Sequence, residues 1–100
     1  MTFHPNHEAL HGVTVVVTGG SGKTYVGRYH ERTERGVLLH DVGVHDPATA
    51  AHPLADWLRR QDRFGVKVEH RHLLLPPGEV GEVVPFLEWL AANPAPTPHP

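Results

Sequence analysis

Val13-Thr-Val-Val-Val-Thr18, Gly19-Gly-Ser-Gly22, Lys23-Thr-Tyr-Val-Gly-Arg-Tyr-His30, Glu31-Arg-Thr-Glu-Arg-Gly36 and Val37-Leu-Leu-His-Asp-Val-Gly-Val44 follow one another without a gap. β-Branched and aromatic residues suit a pleated, half-buried surface, and glycine clusters suit tight turns. The pattern predicts three consecutive antiparallel strands, 13–18, 23–30 and 37–44, joined by a glycine hairpin and by a charged, solvated tip over 31–36. In the first strand Val13, Val15 and Val17 share a face, with Val16 on the other. In the second, Tyr25, Gly27 and Tyr29 lie opposite Thr24, Val26, Arg28 and His30. Gly27, in mid-strand, predicts a sharp bend or bulge, which a small barrel needs in order to close.

Upstream, residues 1–6 are expected to be loose. His7-Glu-Ala-Leu-His11 is expected to make one helical turn, with Asn6 as N-cap, Gly12 as its end and Leu10 leaning on the sheet. Downstream, Asp46-Pro47 ends the third strand. Pro53 suits the first position of a helix, in which Leu54, Trp57, Leu58 and Gln61 follow helical spacing. Arg59, Arg60 and Arg63 fall where the dipole favours cations, and Gly65 is the C-cap. Residues 66–75 predict a fourth strand with Val66, Val68, His70, His72 and Leu74 on one face. A turn at Pro76-Pro-Gly78, a short edge strand over 82–85 and a closing helix over 86–92 complete the reading. One domain over 1–92 and a disordered proline-rich tail over 93–100 are expected.

A chain of 100 residues supports one domain with one core. A formal charge of −2 creates no strong field towards nucleic acid. The chain holds ten histidines, and since the intrinsic pKa of an imidazole is about 6.5, a surface carrying them is expected to turn cationic over a drop of about one pH unit. Absence of cysteine excludes disulfides and thiolate metal sites and favours an intracellular location. No run approaches the ~20 apolar residues of a membrane helix, and residues 1–6 lack the regions of a signal peptide. A cytoplasmic protein with no membrane partner is expected.

Three strings look like motifs. Gly20-Ser-Gly-Lys-Thr24 matches the end of a phosphate-binding P-loop, but Val17 stands where the pattern needs glycine, and a strand follows where a helix should. A glycine hairpin with a solvated lysine is the simpler reading. His7-Glu-Ala-Leu-His11 matches the H-E-x-x-H of zinc proteases, whose chemistry needs both histidines on one helical face and a glutamate beside a zinc-bound water. Gly12 ends that helix at once, and no second helix offers a third ligand. His70 and His72, two apart on one strand face, are surface or structural histidines, or a pH-sensitive interface. No Ser-His-Asp set can be assembled.

The order of short helix, three-strand meander, fourth strand, brief turn and fifth strand resembles the Sm-like fold. That is the SH3-like five-stranded barrel of Sm and LSm proteins and of the RNA chaperone Hfq. The resemblance spans residues 8 to about 86. Gly27 and Tyr29 sit where the first Sm motif has glycine and a large apolar residue. Thr33 stands in place of its aspartate, and Gly36-Val37 in place of its methionine-asparagine. Leu75-Pro-Pro-Gly-Glu-Val80 followed by Glu82-Val-Val-Pro85 is similar to the family's last two strands, without its Arg-Gly or Tyr-Lys-His signature. Residues 48–65 are an insertion.

The expected fold is therefore mainly β, a small five-stranded antiparallel SH3/Sm-like barrel with a short N-terminal helix, an inserted helix and a C-terminal helix. The resemblance implies a non-enzymatic binding module for RNA or DNA that forms a homo-oligomer through its edge strands. Lys23, Arg28, Arg32, Arg35, Lys67 and Arg71 are the candidate phosphate contacts. A protein-interaction or assembly adaptor is the alternative, and a zinc hydrolase using His7, Glu8 and His11 a remote one. No catalytic residue, metal ligand or cofactor is assigned.

Overall fold

In the computed structural model, which describes residues 7–96, Thr24 opens a strand and not a helix. The elements are β1 (Thr14–Gly19), β2 (Thr24–Thr33), β3 (Gly36–His45), α1 (Leu54–Phe64), β4 (His70–Leu75), β5 (Val80–Pro85) and α2 (Phe86–Ala92). Single 3-10 turns cover His7–Leu10 and Pro77–Glu79. The strands form one antiparallel sheet in the order β4-β3-β2-β1-β5. No ladder joins β4 to β5 among the described residues. The sheet is thus open where a closed barrel was expected. The expectations for residues 1–6 and for the end of the tail, 97–100, lie outside the described residues.

The charged tip is shorter than predicted. Arg32 pairs with Val37 and Thr33 with Gly36, so only Glu34 and Arg35 form the turn. Gly36 has φ +129, and a Cβ there would overlap the Leu75 carbonyl of β4. The bend predicted at Gly27 is present as a register shift. Val26 faces Gly43 and Arg28 faces His40, so Asp41 and Val42 together oppose Gly27. The extra residue therefore sits on β3, where Asp41 takes φ +52, a conformation aspartate tolerates better than most residues. A Cβ on Gly27 would stand 3.0 Å from the His40 carbonyl. A second bulge places His30 as the extra residue on β2.

Both sheet faces are packed. Leu10, Val15, Val17, Tyr25, Tyr29, Val37, Leu39, Val42 and Leu75 form an inner cluster, joined by Val44, Leu73, Val80 and Val83. On the outer face Val16, Val26, Leu58 and Phe86 pack together with Trp57, Val66, Trp89 and Leu90. The single core expected from chain length is corrected to two clusters separated by the sheet. Apolar residues on both sides of β1 and β2 require this, and α1 and α2 supply the outer cover. Complete burial of a valine or leucine is worth roughly 1.5–3 kcal/mol. Leu54, at the start of α1, and Val13, ahead of β1, are exposed instead.

The fourth strand begins at His70, later than predicted. Ahead of it, side chains replace the ladder. Buried Gln61 accepts from the Lys67 N–H at 2.8 Å. Glu69 donates its own N–H to the Val42 carbonyl at 2.8 Å, and its carboxylate accepts from the Val44 N–H at 2.9 Å. Val66 is thereby drawn beneath α1 and Val68 left exposed. Gly65 ends α1 at φ +87, as expected of a C-cap glycine, and Pro53 is its N-cap, one residue outside the helix. No described helix is long and apolar enough to cross a membrane.

Candidate nucleic-acid interface

The outer cluster stops at Val26. The next outward residues along β2, Arg28 and His30, are exposed and half-buried. Beside them runs a row of imidazoles drawn from four segments. His11 follows the first 3-10 turn, His30 is the β2 bulge, and His40 and His72 are cross-strand partners on β3 and β4. Successive ring centroids are 5.1, 4.4 and 4.7 Å apart, with His30 and His40 stacked. His11 Nδ1 donates to the His30 carbonyl at 2.7 Å. Partial burial, and then the charges of His30, His72 and Arg28, hold the His40 imidazole below its ordinary pKa, while Asp41 opposes them.

Asp41 is the acidic group of this face. Its carboxylate accepts from the Arg28 guanidinium. That hydrogen bond, with the charges of Arg28, Arg71 and His40, holds Asp41 below the usual carboxylate range against a smaller opposing effect of burial. Arg71 lies in β4 between His70 and His72, opposite the Asp41 bulge. Arg28 and Arg71 both act on Asp41, although strand alternation sets Arg71 on the side of Leu73 and Leu75 and opposite to His72. Lys23, at the β1–β2 turn, and Arg32 and Arg35, at the β2–β3 turn, lie at opposite ends of β2. That is roughly 30 Å of strand at ~3.3 Å per residue. Lys67 lies in the connector ahead of β4.

The P-loop-like string has another task. The Glu79 carboxylate accepts from the Ser21 N–H at 2.7 Å, from the Ser21 hydroxyl and from the Tyr25 hydroxyl. Gly20 donates to the Glu79 carbonyl at 3.0 Å. The glycine hairpin therefore holds the protein's own carboxylate, and this ties β1–β2 to the turn before β5. The Ser21 and Tyr25 hydrogen bonds and nearby Lys23 hold Glu79 below its ordinary pKa against a smaller effect of burial. Burial, followed by Glu79, pushes the Tyr25 phenol up to about 12. Sequence reasoning missed this bond because Ser21 and Glu79 are 58 positions apart. It missed the imidazole row because the row depends on two bulges.

His7–Leu10 is a 3-10 turn, in which positions three apart, not four, share a face. The side chains of His7 and Glu8 lie outside the described ones, and His11 joins the imidazole row. Among the described residues no three histidine or acidic side chains gather as metal ligands. His45 is buried and satisfied, donating from Nε2 to the His52 carbonyl at 2.8 Å. Comparison with protein-family models, with curated proteins and with solved structures found no match for this chain.

Proposed function

We propose that the chain is a non-enzymatic binding module of Sm/SH3-like type that takes single-stranded RNA or DNA on the outer face of β2, β3 and β4. The carrying observation is the open strip formed by Arg28 and the four imidazole rings beside the helical cover. Cationic side chains meet phosphates, and flat rings can stack on unpaired bases. The barrel type is supported by the inner cluster, to which both edge strands contribute, Leu75 from β4 and Val83 from β5. Edges that carry side chains into one cluster require the sheet to curl. The edges of β4 and β5, unpaired among the described residues, support assembly with further copies by strand addition.

Binding of a fluorescent single-stranded oligonucleotide, titrated against salt, tests the reading. Affinity falls as salt rises, in proportion to the phosphates neutralised, and Arg28→Gln lowers that slope. Asp41→Asn releases Arg28 from its ion pair and strengthens binding severalfold, since asparagine also tolerates positive φ. Absence of binding at low salt near pH 6 removes the proposal. A second reading, a protein-interaction adaptor, is favoured by a different surface. A groove of about 500 Å³ between α1 and α2 is lined by Val13, Val66, Pro85, Phe86 and Leu87, and Leu87 is 78% exposed. Protein partners retained after nuclease treatment, and lost in Leu87→Asp, would select it.

A further inference from the structure

We infer that the row His11–His30–His40–His72 is a proton-linked phosphate strip, one that binds a chain of phosphates only as its imidazoles take up protons, so that affinity rises as pH falls. The inference rests on the binding face proposed above and adds its regulation. Four rings in succession, with centroids 4.4–5.1 Å apart, cannot all carry charge without mutual repulsion. The charges that act most on the His40 ring come from the face itself. Arg28 and His30 face His40 from β2, His72 faces it from β4, and Asp41 lies next to it on β3. Arg71 acts on Asp41 from β4. One carboxylate is thus set against two guanidiniums, and it is already bonded to Arg28. Further protons on the rings meet no free acidic partner within this set. A polyanion laid along the row supplies that partner, and by linkage it draws protons onto the rings it touches.

The shared chemistry is a run of phosphodiester or phosphoanhydride oxyanions, available from single-stranded nucleic acid or from inorganic polyphosphate. The test is isothermal titration of the full chain at one fixed low ionic strength, at about pH 5.5 and about pH 7.5. It uses two buffers of different ionisation heat and two probes, oligouridine and inorganic polyphosphate of matched charge. Uptake of about one proton strengthens binding about tenfold per pH unit, and the apparent heat differs between buffers. His72→Gln, on the exposed edge strand, and His40→Gln each reduce both effects, whereas Arg60→Gln, exposed on α1, leaves the pH slope intact. Circular dichroism at both pH values reports that the variants are folded. Oligouridine binding that is unchanged with pH overturns the strip and leaves the proposed function standing. Equal, pH-dependent binding of both probes upholds the strip and removes base recognition. Absence of binding by either probe overturns both.

Discussion

Tyr25 and Tyr29 are the only two tyrosines of the chain, and both phenols are held neutral. Burial is the first cause for each, and for Tyr25 the Glu79 carboxylate is the second. The raised value has a defined sign. The unfolded phenol ionises near 10 and the folded one of Tyr25 near 12. Its contribution to stability is therefore complete below about pH 10 and lost as pH rises through about 12. Absorbance of tyrosinate near 295 nm checks this. At about pH 10.5 a free phenol is more than half ionised, whereas Tyr25 contributes little tyrosinate, so the folded protein absorbs less than two free phenols would. In Glu79→Gln the Tyr25 transition moves down, because the negative charge that opposes ionisation is gone. Half-ionisation near pH 10 with an intact far-ultraviolet spectrum would contradict the Tyr25–Glu79 contact.

Leu58 is the residue through which α1 holds the sheet. It is completely buried, whereas Leu54, one turn earlier, is exposed. Leu58→Ala should cost about 2–5 kcal/mol, and Leu54→Ala about 0.5 kcal/mol or less, as read from urea unfolding. Equal costs would mean that α1 docks by another face. Much at this level was legible in the residues. The meander, both closing helices, the Gly65 cap and the bend at Gly27 follow from alternation and glycine placement. Register was not. A ladder counted back without interruption from the Glu34-Arg35 turn sets Leu39 opposite His30. The bulge at His30 moves Leu39 to Tyr29, so two apolar residues share the inner face and the imidazole is turned outward. Burial of Tyr29 and Leu39 decides that shift, and no local rule of spacing contains it. The late start of β4 has the same origin, because the side chains of Gln61 and Glu69 compete with the ladder only once the helix and sheet are together.

For the molecule as a body, the consequence of an open sheet is that, among the described residues, β4 and β5 each present one unpaired side. A mass of 11.1 kDa is thus the mass of one repeat in the proposed assembly. Light scattering at micromolar concentration should return a multiple of it. A single species at 11.1 kDa across that range would remove the strand-addition proposal and leave the imidazole strip untouched. The candidate contacts were legible as residue types, whereas their grouping was not, since Lys23 and Arg35 are separated by the full length of β2. The pairing of β1 with β5 reaches further. Val15 pairs in register with Pro85 and Val17 with Val83, so β1 completes its pairing only once residues 80–85 are present. During translation a nascent chain that has not yet released residues 80–85 holds β1 as a bare, valine-lined border. Over that interval β1 is paired with β2 on one side only, and its open side is a place where nascent chains can pair with one another.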